Sequence, residues 1–320
     1  MFDKIKQPIE TELEECRQLL SDSFQHKNPL LNQALQQVKS RSGKMMRPIL
    51  VLLSAKLFNE VNDNTLRIAA AYETFHTASL IHDDVVDESD ERRGQDSMNQ
   101  SFNNKVAVLV GDYILTLSLH NIATTRNPQL IDIMSSAAKG LSNGELLQLY
   151  NIQNEKVTEA TYFEIIRNKT ATLFAACAAS GAITAGAKPS DVDIMFQFGE
   201  KVGMCFQIKD DLFDYGEENV GKPTGNDMRE GKFTLPAIYA INHGGADMDE
   251  LVNKVKRCEA SESDIKALVD YTKEKGGLDY AVLVMNRYAD EAVHLLDRYP
   301  ASATKTALLQ YVDYVVGRNY

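Results

Sequence analysis

Two nine-residue segments carry the same pattern of carboxylates: Ser79-Leu80-Ile81-His82-Asp83-Asp84-Val85-Val86-Asp87 and Phe206-Gln207-Ile208-Lys209-Asp210-Asp211-Leu212-Phe213-Asp214. In each, Asp-Asp-x-x-Asp closes an otherwise largely apolar stretch. On an α-helix the first and last Asp of such a set stand one turn apart on the same face. Three carboxylates crowded there repel one another at neutral pH unless a cation neutralises them. Hard oxygen ligands suit Mg²⁺, which takes one or two protein carboxylates and completes its octahedron with water and substrate phosphate. A single cluster reads more simply as a solvated acidic helix end. The same spacing at the ends of two apolar helices favours two Mg²⁺-binding clusters with a diphosphate between them.

Cationic residues accompany the acids. Gly43-Lys44-Met45-Met46-Arg47-Pro48 puts two cations in a Gly–Pro loop that opens a helix, and Glu91-Arg92-Arg93-Gly94 follows the first cluster. Helix N-termini and guanidinium forks both suit phosphate oxygens. Beyond the second cluster lie Gly221-Lys222-Pro223-Thr224-Gly225-Asn226-Asp227 and Gly231-Lys232-Phe233-Thr234. They read as a loop carrying two lysines, and the P-loop spacing is absent. Tyr72, His76, Ser79, Asp83 and Asp87 share one helix face at three- and four-residue steps. His76 therefore belongs with the acids, whereas His82 and His120 read as packed histidines.

The elements that must position these groups are helices. Apolar residues recur at three- and four-residue spacing nearly throughout. The pattern predicts helices over Pro8–Phe24, Pro29–Lys39, Pro48–Phe58, Asn64–Glu88, Ser101–Thr125, Pro128–Tyr150, Thr158–Ala187, Pro189–Tyr215 and Leu235–Asn242, with several more from Asp247 onward. Prolines at 29, 48, 128 and 189 fall at helix starts, where a missing N–H is tolerated. No linker, repeat or low-complexity tract divides the chain, so residues 1–320 read as one all-α domain. Residues 170–187 lack charge, but their Ala, Thr, Gly and Ser content fits a buried central helix better than a membrane span.

The 320 residues include 45 acidic and 34 basic side chains, for a net charge of −11. That balance argues against a nucleic-acid partner, which requires surplus Lys and Arg. The charged N-terminus lacks a secretory pattern. Four scattered cysteines give no disulfide framework, and the plain expectation is a reduced, cytoplasmic setting.

Taken in order, these motifs resemble the trans-isoprenyl diphosphate synthases (polyprenyl synthetases). The ordered set is Gly-Lys-x-x-Arg-Pro, His-x-x-x-x-x-His-Asp-Asp-x-x-Asp, Arg-Arg-Gly, Lys-Thr, Gln-x-x-Asp-Asp-x-x-Asp, Gly-Lys-x-x-Gly-x-Asp and Gly-Lys-x-Thr. The resemblance implies a single-domain helical bundle of the isoprenoid synthase type around a central cavity. It implies that Asp83, Asp84, Asp87, Asp210, Asp211 and Asp214 bind about three Mg²⁺ ions bridging an allylic diphosphate. Arg92, Lys169, Lys222 and Lys232 would contact that diphosphate directly. Lys44, Arg47, His76 and Arg93 would hold isopentenyl diphosphate, with Thr170 and Gln207 near the developing cation. Many relatives read Gly-Gly-Lys-Arg where this chain has Ser42-Gly43-Lys44-Met45, yet the aligned Lys44 and Arg47 are kept.

The implied reaction condenses isopentenyl diphosphate with farnesyl or geranylgeranyl diphosphate by ionisation, condensation and elimination. In this family, aromatics at the fourth and fifth positions before the first Asp stop growth early. Here these positions hold Ser79 and Ala78, which implies a long all-trans product of heptaprenyl or octaprenyl range, used for a quinone side chain. Alternatives are a farnesyl or geranylgeranyl diphosphate synthase and a non-catalytic subunit of a heteromeric synthase. A terpene cyclase lacks the Lys44, Arg47 and Arg93 set, and a calcium-binding scaffold leaves the ordered cations unexplained. The resemblance also implies a homodimer, through Pro8–Phe24 or Ser101–Thr125, with no transmembrane segment and only transient membrane contact for product release.

Overall fold

The computed structural model describes residues 2–41, 43–92, 94–152, 158–216, 224–244 and 248–318. Helices dominate: α1 (Phe2–Lys6), α2 (Glu10–Ser23), α3 (Pro29–Ser40), α4 (Met46–Lys56), α5 (Asp63–Val86), α6 (Met98–Ser101), α7 (Asn104–Thr124), α8 (Pro128–Ile152) and α9 (Glu159–Ile166). They continue as α10 (Thr172–Thr184), α11 (Pro189–Phe213), α12 (Asn226–Arg229), α13 (Leu235–His243), α14 (Asp249–Lys256), α15 (Glu262–Glu274), α16 (Gly277–Leu295) and α17 (Ala303–Gly317). The all-α expectation holds, and most predicted ends fall within a few residues of those observed.

The starts follow capping chemistry. Asn28, Asn103 and Thr158 each accept backbone N–H groups at the first turns of α3, α7 and α9. Asn62 with Thr65, and Ser261 with Asp264, form capping boxes on α5 and α15. Such side chains satisfy donors that the helix itself leaves unpaired. Two features depart from the sequence reading. Strands β1 (Glu91–Arg92) and β2 (Gln95–Asp96) form a minimal antiparallel hairpin after the first acidic cluster. Gly94 turns it at φ +74°, a conformation that a side chain disfavours. The predicted helix Thr158–Ala187 is interrupted by a π-helical turn, Arg167–Ala171.

Chain contacts divide into two compact units. Unit 1 comprises Met1–Met134, Ala176–Phe196 and Ala301–Leu308; unit 2 comprises Ser135–Ala175, Gln197–Pro300 and Leu309–Tyr320. In unit 1, α5 is the hub, with α2, α4, α6 and α7 packed on it. Phe24, Leu35, Ala78, Ile81, Val110 and Ile114 fill the space between α5 and its neighbours. The apolar residues of α4 from Met46 to Ala55 are almost all buried. Its Val51 carbonyl lies where a side chain on Gly181 would have to go. Tyr72 is wholly buried, its hydroxyl 2.8 Å from Ser180 Oγ.

In unit 2, α13 packs against α9, α15 and α16. Tyr215, Met228, Val255, Ile265 and Leu268 form its apolar centre. Phe174, Phe198 and Val202 are fully buried as well. The small, uncharged run after Lys169 is buried, as its composition led us to expect: Ala171 and the residues from Leu173 to Ala179 are at most 2% exposed. Among the described residues one helix, α7, is long and apolar enough to cross a membrane by length and composition alone. Its inner row, Ala107, Val110 and Ile114, is buried in the unit 1 core.

Candidate active site

Both acidic clusters close their helices at the C-terminal end, where the helix dipole is negative and carboxylates are least favoured. Each therefore needs positive charge or hydrogen-bond donors. In unit 1, Asp83 and Asp84 lie in the last turn of α5, and Asp87 follows as its cap, donating its N–H to the Asp83 carbonyl at 2.8 Å. Asp83 is half-buried, Asp84 buried and Asp87 exposed. Asp84 is 3% exposed and accepts from Arg92 Nε at 2.5 Å. Burial raises its carboxyl, while the guanidinium beside it pulls the other way. The β1–β2 hairpin thus carries the arginine that meets the cluster.

The loop before α4 is strained at a useful place. Met45, its N-cap, is left-handed at φ 57°, which costs a non-glycine residue about 1–2 kcal/mol. Burial of the Met45 side chain offsets that strain. Lys44 comes out exposed and Arg47 half-buried in the first turn of α4. Both helices belong to unit 1, with α4 packed on α5, where His76 and Ser79 are half-buried and Ala78 is buried. Arg93 lies outside the described residues.

Unit 2 distributes its carboxylates among separate partners. Asp210 accepts from Arg318 at 2.6 Å, and that guanidinium lies 3.8 Å over the Phe206 ring. Asp211, 5% exposed, accepts from the Tyr162 hydroxyl at 2.6 Å and from Gln207 Nε2 at 2.8 Å. With its amide so fixed, Gln207 presents Oε1 to the Thr170 hydroxyl at 2.7 Å. Asp214 accepts the backbone N–H groups of Asn226 and Asp227 at 2.8 and 3.1 Å, which fastens α12 to the end of α11. Protein donors thus offset part of the repulsion expected of this cluster from its spacing.

A cavity of about 140 Å³ in this unit is lined by Tyr162, Lys169, Gln207, Asp211, Asp227 and Lys232, among others. Thr170, beside Lys169 on the π-helical turn, reaches the same network through Gln207. Gly203 allows α11 to press on that turn, because a Cβ there would sit 2.5 Å from Ala171 Cα. Lys232 pairs with Glu230 at 2.5 Å. Lys222 lies outside the described residues.

Several members of this network carried no sequence signal that the motifs exploited. Tyr162, Glu145 and Gln148 are ordinary helix residues by composition, and Arg318 lies 108 positions from its partner. Asp227 had been visible only as the last residue of the Gly-Lys-x-x-Gly-x-Asp motif.

Among the described residues no three His, Cys, Asp or Glu side chains converge as a metal cage. Oxygen donors arranged in ones and twos do fit Mg²⁺, which keeps several waters and uses substrate phosphate as ligand. In unit 1 the half-buried Asp83 and exposed Asp87 could hold such an ion, and in unit 2 the 37% exposed side chain of Asp210 could do so.

Burial, reinforced by Asp227, pushes Asp211 upward, and burial with Asp214 pushes Asp227 upward. A carboxyl raised in the fold holds a proton that the unfolded chain has released. Its contribution to stability is full below the ordinary carboxylate pKa and is lost as pH rises through the raised value. The metal-free chain should therefore melt at progressively lower temperature from the acid side of neutrality to about pH 8. Calorimetric scans across that range check this, and a flat or rising midpoint without metal contradicts it.

Comparison with known proteins places these features. The family model for polyprenyl synthetase matches residues 28–272. Octaprenyl diphosphate synthase of Haemophilus influenzae is 33% identical, over 100% of this chain and 98% of that protein. A crystal structure of polyprenyl synthase from Caulobacter crescentus, complexed with calcium and isoprenyl diphosphate, superposes with a TM-score of 0.94 at 32% identity, covering 100% of this chain and 98% of that one. A crystal structure of geranylgeranyl pyrophosphate synthase from Bacteroides thetaiotaomicron is 44% identical, with a TM-score of 0.87 over 98% of both chains.

Proposed function

This chain belongs to the polyprenyl synthetase family and is a trans-prenyltransferase, and we propose that it is Mg²⁺-dependent and condenses isopentenyl diphosphate with an allylic diphosphate, farnesyl or geranylgeranyl. The observation that carries this reading is the chain Tyr162–Asp211–Gln207–Thr170 on the same cavity as Lys169 and Lys232. Those two lysines bind the allylic diphosphate, and Arg92 and Lys222 complete its cationic shell. Positive charge aimed at the departing diphosphate lowers the barrier to C–O cleavage. Bound Mg²⁺ supplies further charge of that kind.

Thr170 donates its proton to Gln207 Oε1, so its oxygen lone pairs remain for the allylic cation. Gln207 cannot flip, because Asp211 holds its amide nitrogen. Lys44, Arg47, His76 and Arg93 bind the diphosphate of the second substrate. Holding its double bond against the cation supplies the acceleration that comes from positioning. The released diphosphate takes the proton, leaving an allylic product one isoprene unit longer. The acid excess of the chain suits this reading, since part of it is the carboxylate set that holds cations.

We assign a long product, consistent with the small residues Ala78 and Ser79 ahead of Asp83. The 44% identity to the geranylgeranyl pyrophosphate synthase from Bacteroides thetaiotaomicron favours a second reading, a shorter product. One assay separates them: purified chain, Mg²⁺, isopentenyl diphosphate and farnesyl diphosphate, with products sized by chromatography. Growth beyond geranylgeranyl supports the first reading, and arrest there supports the second. No elongation overturns both. Ala78 is buried among Phe24, Leu35 and Ile81, so Ala78→Tyr intrudes on packed space beside the acidic helix face. It should shorten the product, and an unchanged length defeats the assignment of Ala78.

We also assign a homodimer through α7. Its outer side exposes Leu109 at 67% and Leu119 at 56%, two large apolar side chains that a second copy would cover. Activity should then elute from gel filtration at twice the 35.7 kDa chain mass. Elution at one chain mass contradicts the dimer.

A further inference from the structure

Lys169 does not extend from a regular helix. The π-helical turn Arg167–Ala171 adds a residue to the local repeat and shifts every side chain that follows around the axis. That turn lies hard against α8. At Gly144 an added Cβ would be 2.8 Å from the Lys169 backbone nitrogen and 3.1 Å from Asn168 Cβ, so only glycine allows this approach. The neighbouring residues on α8, Glu145 and Gln148, stand three positions apart and share a face. Both meet the lysine: Glu145 Oε1 is 2.7 Å from Nζ, and Gln148 Oε1 accepts from Nζ at 2.9 Å.

A lysine side chain is a point charge on a flexible stem of four carbons. Two acceptors fixed on one helix turn define where that charge sits. The ammonium donates to Gln148 and is ion-paired with Glu145, and Lys169 also lines the cavity with Asp211, Asp227 and Lys232. An ammonium has three protons, so donors remain for a ligand in that cavity. Lys169 and Glu145 are 31% and 30% exposed, so the pair is screened only in part.

We propose that Glu145 is a positioning residue: with Gln148 it holds Lys169 on the π-helical turn in the orientation that receives an anionic diphosphate. The proposal rests on the reading of Lys169 as an allylic diphosphate ligand. Glu145 acts through the lysine and does not touch the substrate. Its own negative charge is neutralised by the lysine it orients, so its benefit is orientation and not attraction.

The test is a double-mutant cycle on the full chain: wild type, Glu145→Ala, Lys169→Ala and the double variant. Two readouts are taken: the KM for farnesyl diphosphate with Mg²⁺, and calorimetric binding of inorganic diphosphate with Mg²⁺, which needs no turnover. Glu145→Ala should weaken both by about tenfold, the scale of one charge-assisted hydrogen bond. In the Lys169→Ala background it should change neither. Glu145→Gln, which keeps an acceptor oxygen, should recover most of the loss, and it also serves if the alanine variant melts early.

Tighter diphosphate binding in Glu145→Ala would make Glu145 a competitor for the lysine and overturn the proposal. An undiminished effect of Glu145→Ala in the Lys169→Ala background would also overturn it, since the role would then be merely structural. Unimpaired binding and KM in Lys169→Ala would remove the lysine from the site, and the role of Glu145 with it. A wild-type chain that binds diphosphate but fails to elongate counts against the proposed function, while the binding cycle still decides the role of Glu145.

Discussion

Replacing Asp83 or Asp210 by alanine is expected to lower turnover by about 10²–10³-fold or more, the scale seen when one preorganised electrostatic contact to a transition state is removed. These two are singled out by their surroundings. Asp84 is buried against Arg92, Asp211 is buried against Tyr162 and Gln207, and Asp214 caps α12. Removing any of those three strips a buried donor of its acceptor, so lost activity would be mixed with lost structure. Asp83 keeps its backbone role, since the bond from the Asp87 N–H goes to its carbonyl and survives substitution.

Asp210 is less clean, because Arg318 loses an acceptor at 2.6 Å, though the guanidinium keeps the Phe206 carbonyl at 2.9 Å. Steady-state elongation over a Mg²⁺ series, with circular dichroism as a fold check, measures the effect. Near-normal Mg²⁺-dependent turnover in either folded variant would remove that cluster from the chemistry.

Gly203→Val is expected to lower stability sharply. The ideal Cβ position at residue 203 lies 2.5 Å from Ala171 Cα, 3.1 Å from Ala171 Cβ and 3.1 Å from Phe174 Cβ. The first of these is backbone, which cannot turn aside as a side-chain tip could. Forcing extra carbons into a packed interface costs about 1–3 kcal/mol and occasionally more. At roughly 2–4 °C per kcal/mol, the melting midpoint should fall by about 2–12 °C.

A functional loss should accompany it. Gly203 lies one turn before Gln207, so pushing α11 off the π-helical turn parts Gln207 from Thr170. Gly317→Ala, where nothing lies within 4 Å of the added carbon, serves as the control. A Gly203→Val chain with an unshifted melt would show that the interface relaxes, and that the glycine is not required for close approach.

Much of the molecule was legible from spacing. The three- and four-residue recurrence of apolar side chains located α5 and α11, and the two acidic triplets marked where each helix ends. Those are local properties: a helix presents residues three and four apart on one face whatever surrounds it. The order of Gly-Lys-x-x-Arg-Pro, the acidic motifs, Lys-Thr and Gly-Lys-x-Thr was enough to identify the family and the class of enzyme. Composition also separated the small-residue run of α10, buried inside the fold, from a membrane span.

Other features left no such mark. A π-helical turn shifts the side chains that follow, but residues 170–187 are uncharged on every side and show no change of phase, so the altered direction of Lys169 could not be read from the sequence. Nor could the hairpin that brings Arg92 to Asp84, whose strands are two residues each.

The partners of the second cluster are the plainest case. Its spacing gave three carboxylates in mutual repulsion, awaiting a cation. Tertiary structure assigns Asp210 to an arginine 108 positions away, Asp211 to a tyrosine 49 positions away, and Asp214 to the backbone of α12. Sequence determined that acids stand on those helix ends, because helical geometry acts over a few residues. Which donor each acid meets was decided only when distant segments packed, because hydrogen bonds form between atoms about 3 Å apart, whatever their separation along the chain.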